Sequence, residues 1–217
     1  MHMAIAKHDI QVVFFDFSGV LAEEGFVQGL KEIGRQHGRE PAAFLRQVTE
    51  ICYNNGYADG RTDEHAFWQD VREQMDITAG DDALRREILS RFVVRPWMLQ
   101  AVSRVRSDAT RTALLSDHTN WLEELDAAHG IYRHFDRIFN SYREGMTKRS
   151  PDFFLHACNT MQVAPDNTLF IDDNPANTDR AEGVGMHAIL YTAYPSLVTD
   201  LKRFLPSTVL PPEGAVC

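Results

Sequence analysis

Residues 10–19 read IQVVFFDFSG, and this stretch decides the fold. The run 10–15 is rich in β-branched and aromatic residues, stops at Asp16 and is followed by Gly19, which is the pattern of a buried strand ending in a turn. A strand with almost no polar alternation belongs in a parallel sheet covered on both faces.

Working outward, the next seventy residues behave differently. Four helical patterns follow one another at about 25–37, 41–54, 63–75 and 81–93, with Leu30 and Ile33, then Phe44, Leu45, Val48 and Ile51, at helical spacing. Gly38 suits the end of the first and Pro41 the opening of the second. Thr62 or Asp63 suits the cap of the third. No strand pattern interrupts this block, so it reads as an all-helical insertion after the first strand.

The β–α rhythm resumes at Pro96. A helix at 97–106 precedes a strand at 112–115 that ends on Ser116. A helix at 119–129 and a strand at 137–140 follow. Ser150 and Pro151 suit the cap and first turn of a helix at 150–161. A strand at 167–171 then runs into Asp172 and Asp173. A helix at 175–184 closed by Gly185, a strand at 187–191 and a helix at 195–204 complete the pattern. Alternating β and α elements predict an α/β fold with a doubly wound parallel sheet. The expected organisation is a core of 8–21 and 96–205, a helical block at 22–95, and a loosely ordered tail at 206–217, where Pro211, Pro212 and Gly214 fall.

Composition bounds the function. With 217 residues, 44% hydrophobic and 24% charged, the chain fits one large soluble domain or a core with an inserted subdomain. The net charge of -9 argues against a nucleic-acid surface or an anionic membrane face. A small anionic substrate stays possible, because a few cations and a metal reverse the field inside one cleft. Cys52, Cys158 and Cys217 are odd in number and far apart, which argues against a disulfide framework or a zinc site and for a reducing compartment. Residues 1–9 lack the apolar run of a signal peptide, and no stretch of about 18 apolar residues occurs. A cytoplasmic location is the default expectation.

In such sheets ligands bind beyond the carboxyl ends of the strands, and three expected strands end on Asp16, Ser116 and the Asp172–Asp173 pair. A strand-end carboxylate such as Asp16 can attack phosphorus and hold a hard cation with its second oxygen. By itself it reads more readily as a turn residue. Ser116 could donate to phosphate oxygens. Lys148, just ahead of a helix, could neutralise a nucleophile and a phosphoryl group, although a surface lysine is the commoner occurrence. Adjacent carboxylates repel unless something positive sits there. A magnesium ion meets that need at Asp172 and Asp173, and a helix-capping acidic pair is the alternative.

Taken in order, these segments resemble the haloacid-dehalogenase-like superfamily, in particular the branch with sugar-phosphate phosphatases and the N-terminal phosphatase domain of soluble epoxide hydrolases. FFDFSGVL (14–21) resembles the first family motif, LLSDHT (114–119) the second, GMTKRSPDFF (145–154) the third and LFIDDNPANTDRAEGVGM (169–186) the fourth. The resemblance implies Asp16 as nucleophile, Ser116 as phosphate-binding hydroxyl and Lys148 as the family lysine. It implies Asp16, the Ser18 carbonyl, Asp172 and Asp173 as Mg²⁺ ligands, with Asp173 more direct than Asp172. It also implies that the helical block is a cap closing over the strand ends, with Tyr53, Tyr57, Arg61, His65 and Trp68 as candidate substrate contacts. The implied activity is Mg²⁺-dependent hydrolysis of a small phosphorylated metabolite.

Three positions depart from the pattern. Ser18 stands where relatives carry the acid/base Asp, a loss worth ~10²–10⁴-fold. Asp117 stands where Asn is usual, adding negative charge beside the expected phosphate or supplying a displaced acid/base. Arg149 and Ser150 separate Lys148 from Pro151. The alternatives are a carbon–halogen hydrolase, whose members also lack the Asp at the position of Ser18 but do not keep the acidic pair, and a degenerate module that binds without turnover.

Overall fold

A computed structural model describes residues 9–108 and 110–215. The expectations for the N-terminal segment up to residue 8 and for Cys217 lie outside the described residues. The strands are β1 (Val12–Phe15), β2 (Arg111–Ser116), β3 (Arg137–Asn140), β4 (Thr168–Asp172) and β5 (His187–Leu190). They form one parallel sheet in the order β3-β2-β1-β4-β5, so the N-terminal strand is central. The helices are α1 (Gly25–Gln36), α2 (Pro41–Asn54), α3 (Glu64–Met75), α4 (Asp81–Leu89), α5 (Pro96–Ser107), α6 (Trp121–His129), α7 (Ser141–Glu144), α8 (Pro151–Thr160), α9 (Pro175–Gly183) and α10 (Tyr194–Leu201).

Alternation along the strands divides the core. Val12, Phe14, Ala113, Leu115 and Phe170 pack with Phe153, Phe154 and Ala157 of α8 and Ala181 of α9. Val13, Phe15, Leu114, Leu169 and Ile171 face the other way, onto a cluster that takes in Val102 of α5, Leu122 of α6, Leu197 of α10 and the apolar sides of α1–α4. The four helices after β1 therefore share one continuous apolar cluster with that face of the sheet. Burying a large apolar side chain contributes roughly 1.5–3 kcal/mol, and Phe14, Phe15, Phe17, Trp68 and Trp121 are all at or below 1% exposure.

Local chemistry sets the helix ends. Glu40 accepts from the Ala42 and Ala43 amides ahead of Pro41, Asp63 caps α3, and Ser150 caps α8 ahead of Pro151. Two expectations fail. The fourth helix ends at Leu89 rather than 93, because the chain turns through Arg91 and Phe92 to bring Ala22 and Val94 together in a β-bridge. The tail is not loose over residues 206–215. Thr208 is buried and donates to Asp108 at 2.7 Å, and Pro211 accepts from the Tyr194 hydroxyl at 2.6 Å.

Candidate active site

Strand register places the acidic groups. Phe15 is level with Leu114 of β2 and Ile171 of β4, so Asp16 and Asp172 emerge side by side one residue later. The Asp16 amide donates to Ile171 O at 2.9 Å and locks this step. Both carboxyls continue the alternation of Phe14 and Phe170 toward the side carrying α8. The segment leading into α8 delivers Lys148 there. Its Nζ lies 2.8 Å from Asp16 Oδ1 and 2.7 Å from Asp172 Oδ2, and the side chain is 3% exposed.

Asp172 is well supplied with donors. Besides Lys148 it accepts from the Asn174 amide at 2.7 Å and from Asn177 Nδ2 at 3.1 and 3.2 Å. Arg180 donates to Asn177 Oδ1 at 3.2 Å and so fixes which way that amide points. Among the described residues Asp173 has no such set. Its carboxylate lies against Gly19, where a Cβ would sit 1.9 Å from Oδ2 at a backbone φ of +80°. Only glycine combines that conformation with that approach.

Single carboxylate oxygens of Asp16, Asp172 and Asp173 lie within 4.8 Å of one another. One ammonium serves them. Burial raises Asp16 far above the carboxylate range, and the charges of Asp172 and Asp173 add to this while Lys148 opposes it. Burial, then Asp172 and Glu24, push Asp173 up to about 6. Burial alone would lower Lys148, but the carboxylates of Asp16, Asp172 and Asp117 outweigh it and hold the ammonium above its usual range. Three ionised acids facing one ammonium are two positive charges short, which suits a hard divalent cation with oxygen ligands. The loop after β1 adds a backbone oxygen: Phe17 O is taken by the Leu21 and Ala22 amides and Ala22 O by the Gly19 amide, while the Ser18 carbonyl accepts no hydrogen bond among the described residues.

A cavity of about 520 Å³ opens over this cluster. Asp16, Ser18, Asp117, Lys148 and Asp173 reach its wall; Ser116 and Asp172 do not. Ser116 is fully buried at the end of β2, and its Oγ has no hydrogen-bond partner. Of the five cap-side candidates, Tyr53 alone lines the cavity. Tyr57 is buried and donates to Asn120, Trp68 stacks on Trp121 in the core, Arg61 pairs with Asp59, and His65 pairs with Asp81. Core packing claimed the two aromatic residues and solvent the two basic ones.

Asp117 also departs from expectation. Oδ1 accepts from the Lys148 amide at 2.7 Å and Oδ2 from the Tyr53 hydroxyl at 2.8 Å. With both oxygens engaged it is a brace between α2 and the Lys148 segment, not a free acid/base. Burial raises its pKa, against Lys148 and these donors. Arg149 extends the same junction by pairing with Glu50 at 2.7 Å and covering the Tyr53 ring at 3.6 Å. Asn177, Glu50 and His118 were not recognisable as site residues from the sequence: two come from helix positions that look like ordinary surface, and His118 was hidden beside the more conspicuous Ser116 and Asp117.

Known proteins share this fold. Bifunctional epoxide hydrolase 2 of Rattus norvegicus is 27% identical over 222 residues, covering 89% of this chain but 38% of that protein. The chain therefore spans well under half the length of that relative. Flavin mononucleotide hydrolase 1 of Arabidopsis thaliana is 20% identical, over 90% of this chain and 78% of its own. A haloacid dehalogenase-family enzyme of Bacteroides thetaiotaomicron, solved in complex with magnesium and inorganic phosphate, superposes with a TM-score of 0.67 at 21% identity, covering 85% of this chain and 95% of that one. The haloacid dehalogenase-like hydrolase family matches residues 10–185, so the chain, with its central β1 and the acids at its strand ends, belongs to the haloacid dehalogenase-like hydrolases.

Proposed function

We propose that this hydrolase cleaves a small phosphate monoester, with Asp16 as nucleophile and Mg²⁺ as cofactor. The observation that carries the reading is the buried group in which Lys148 bridges Asp16 and Asp172 beneath a cavity, with Asp173 close by. A carbon–halogen hydrolase needs no such concentration of carboxylates.

Mg²⁺ would be held by Asp16, Asp173 and the Ser18 carbonyl, with Asp172 behind them, and would supply positive charge that favours the ionised nucleophile and the phosphate. The chain's own groups do the rest. An Asp16 oxygen attacks phosphorus in line, an O–P bond forms, and the ester oxygen leaves with its electron pair. Lys148 Nζ neutralises charge on the phosphoryl oxygens, and Ser116 Oγ has an unfilled hydrogen bond to offer. Water then cleaves the aspartyl-phosphate and returns Asp16. Residues 22–95 act as the cap, tied down through Tyr53–Asp117 and Glu50–Arg149 and excluding water during reaction.

The test is phosphate release from a panel of phosphorylated metabolites and 4-nitrophenyl phosphate, with Mg²⁺ and with EDTA. Mg²⁺-dependent release that disappears in Asp16→Asn supports the reading; no release from any ester, or release that survives in Asp16→Asn, rejects it.

A further inference from the structure

His118 is a polar residue of the cavity wall that the chemistry above leaves unused. The residue is 7% exposed and lines the cavity, and among the described residues neither ring nitrogen makes a hydrogen bond of good geometry, the backbone at Thr119 alone coming near the ring. The ring is wedged between two aromatic residues, with centroids 5.4 Å from Phe17 and 5.2 Å from Phe92. Its backbone is pinned on both sides: the amide donates to Ser141 Oγ at 3.0 Å, and the carbonyl accepts from that hydroxyl at 3.2 Å. The imidazole is therefore held in one place.

Burial pulls its pKa down to about 4, so at neutral pH the ring is uncharged, with one donor and one acceptor. A buried polar group without a partner destabilises a fold, and native proteins rarely leave one. A Phe or Leu would fill the space between Phe17 and Phe92 without that penalty. The cavity beside it is walled by Phe26, Val27, Phe92 and Trp121, none of which presents a neutral hydrogen-bonding pair of this kind.

We propose that His118 is a specificity-determining residue that hydrogen-bonds an oxygen on the organic part of the ester, so that the substrates are hydroxyl- or carbonyl-bearing phosphate monoesters rather than plain alkyl phosphates. This rests on the phosphatase reading. The phosphoryl group sits over Asp16 and Lys148, and the adjoining carbons lie against the aromatic wall. His118 supplies the missing partner in a site from which water is displaced. There, an analogue lacking the oxygen leaves the ring nitrogen that would meet it unpaired and is rejected.

Propyl phosphate, glycerol 1-phosphate and glycerol 2-phosphate share a three-carbon skeleton and differ in hydroxyls. Calorimetric binding of each to the Asp16→Asn protein with Mg²⁺ reads recognition without turnover. Binding of at least one glycerol phosphate roughly ten- to hundredfold tighter than propyl phosphate is expected. His118→Phe in the same background should bring that ratio close to one, His118→Asn should restore part of it, and His118→Phe should melt no lower than its parent. A ratio near one before His118 is changed, a ratio that survives in His118→Phe, or an equal loss of affinity for all three esters overturns the proposal. The failure of the phosphatase reading appears separately, as esters that bind Asp16→Asn but release no phosphate from the natural protein.

Discussion

Replacing Lys148 with Met isolates the electrostatics of the site. The methionine chain keeps most of the packing and removes the charge that sits 2.8 Å from Asp16 and 2.7 Å from Asp172. Breaking a buried ion pair by removing one partner destabilises by ~3–5 kcal/mol, because the remaining charge is uncompensated. Here two carboxylates are stranded, although Asp172 keeps its bonds from Asn174 and Asn177. In a domain of this size the loss corresponds to roughly 6–20 °C in melting temperature. The fold has one escape, which is to protonate Asp16. That carboxyl is already raised, and the variant raises it further. A folded-state pKa above the unfolded value of 3.8 gives stability that is full at low pH and lost as pH rises through the folded pKa. Burial already holds Asp16 at about 8 in the natural protein, so the deficit should be level up to pH 7 and widen by about pH 9.5, where the natural protein ionises Asp16 and the variant keeps it protonated. Urea unfolding followed by tryptophan fluorescence, with EDTA present, measures it at both pH values. A deficit below ~1 kcal/mol at about pH 9.5, or one that does not grow between pH 7 and that value, would refute the view that Lys148 is the neutralising charge of this group.

Asp16→Asn should abolish turnover and, with EDTA present, melt no lower than the natural protein, since it removes one of the surplus carboxylates; scanning calorimetry beside an activity assay checks both halves. Tyr53→Phe strands Asp117 Oδ2 and should destabilise by ~1–3 kcal/mol while raising KM, whereas Asp117→Asn keeps an acceptor and should change stability by less than Tyr53→Phe; denaturant midpoints for the two variants decide this. His118 falls from 6.5 to about 4 on folding, so its contribution is full above pH 6.5 and decays by about 3 kcal/mol as pH falls through 4; a stability-versus-pH series should be flatter by that amount in His118→Phe. Ser18 cannot act as a carboxylate base, so rapid-quench kinetics with an aryl phosphate should show a burst of about one equivalent, and Ser18→Asp should accelerate the slow phase; absence of both would place the base elsewhere.

The sequence carried the sheet because β1 is apolar throughout and β4 through Leu169, Phe170 and Ile171, and it carried the acids because each ends a strand or follows one directly. Lys148 was legible through its motif, yet its dual pairing depends on strand register, which no linear pattern states. The cap-side contacts were not legible: at helical spacing Tyr57 and Trp68 look the same whether they face a cavity or a core, and here the core took them. Asp117 read as an excess charge because its two donors come from positions 53 and 148, distant in the chain. The tail misled because its Pro and Gly content resembles that of loose termini, whereas side chains of α5 and α10, together with Asp108, bind its backbone and hydroxyl groups.

The central place of β1 has a consequence for synthesis of the chain. VVFF leaves the ribosome well before its neighbours, which begin at Arg111 and Thr168. At ~5–20 residues per second the first partner arrives ~5–20 s after Phe15 and the second ~8–30 s after it. Throughout that interval an apolar, charge-free segment with high β-propensity has no sheet to join, which is the profile of an aggregation-prone nascent strand. The helices α1 to α4 are made during the same interval and pack mainly on one another. Their apolar sides give Val13 and Phe15 a surface to rest on before the sheet exists. The four helices between β1 and its neighbours are thus expected to shelter that strand during translation.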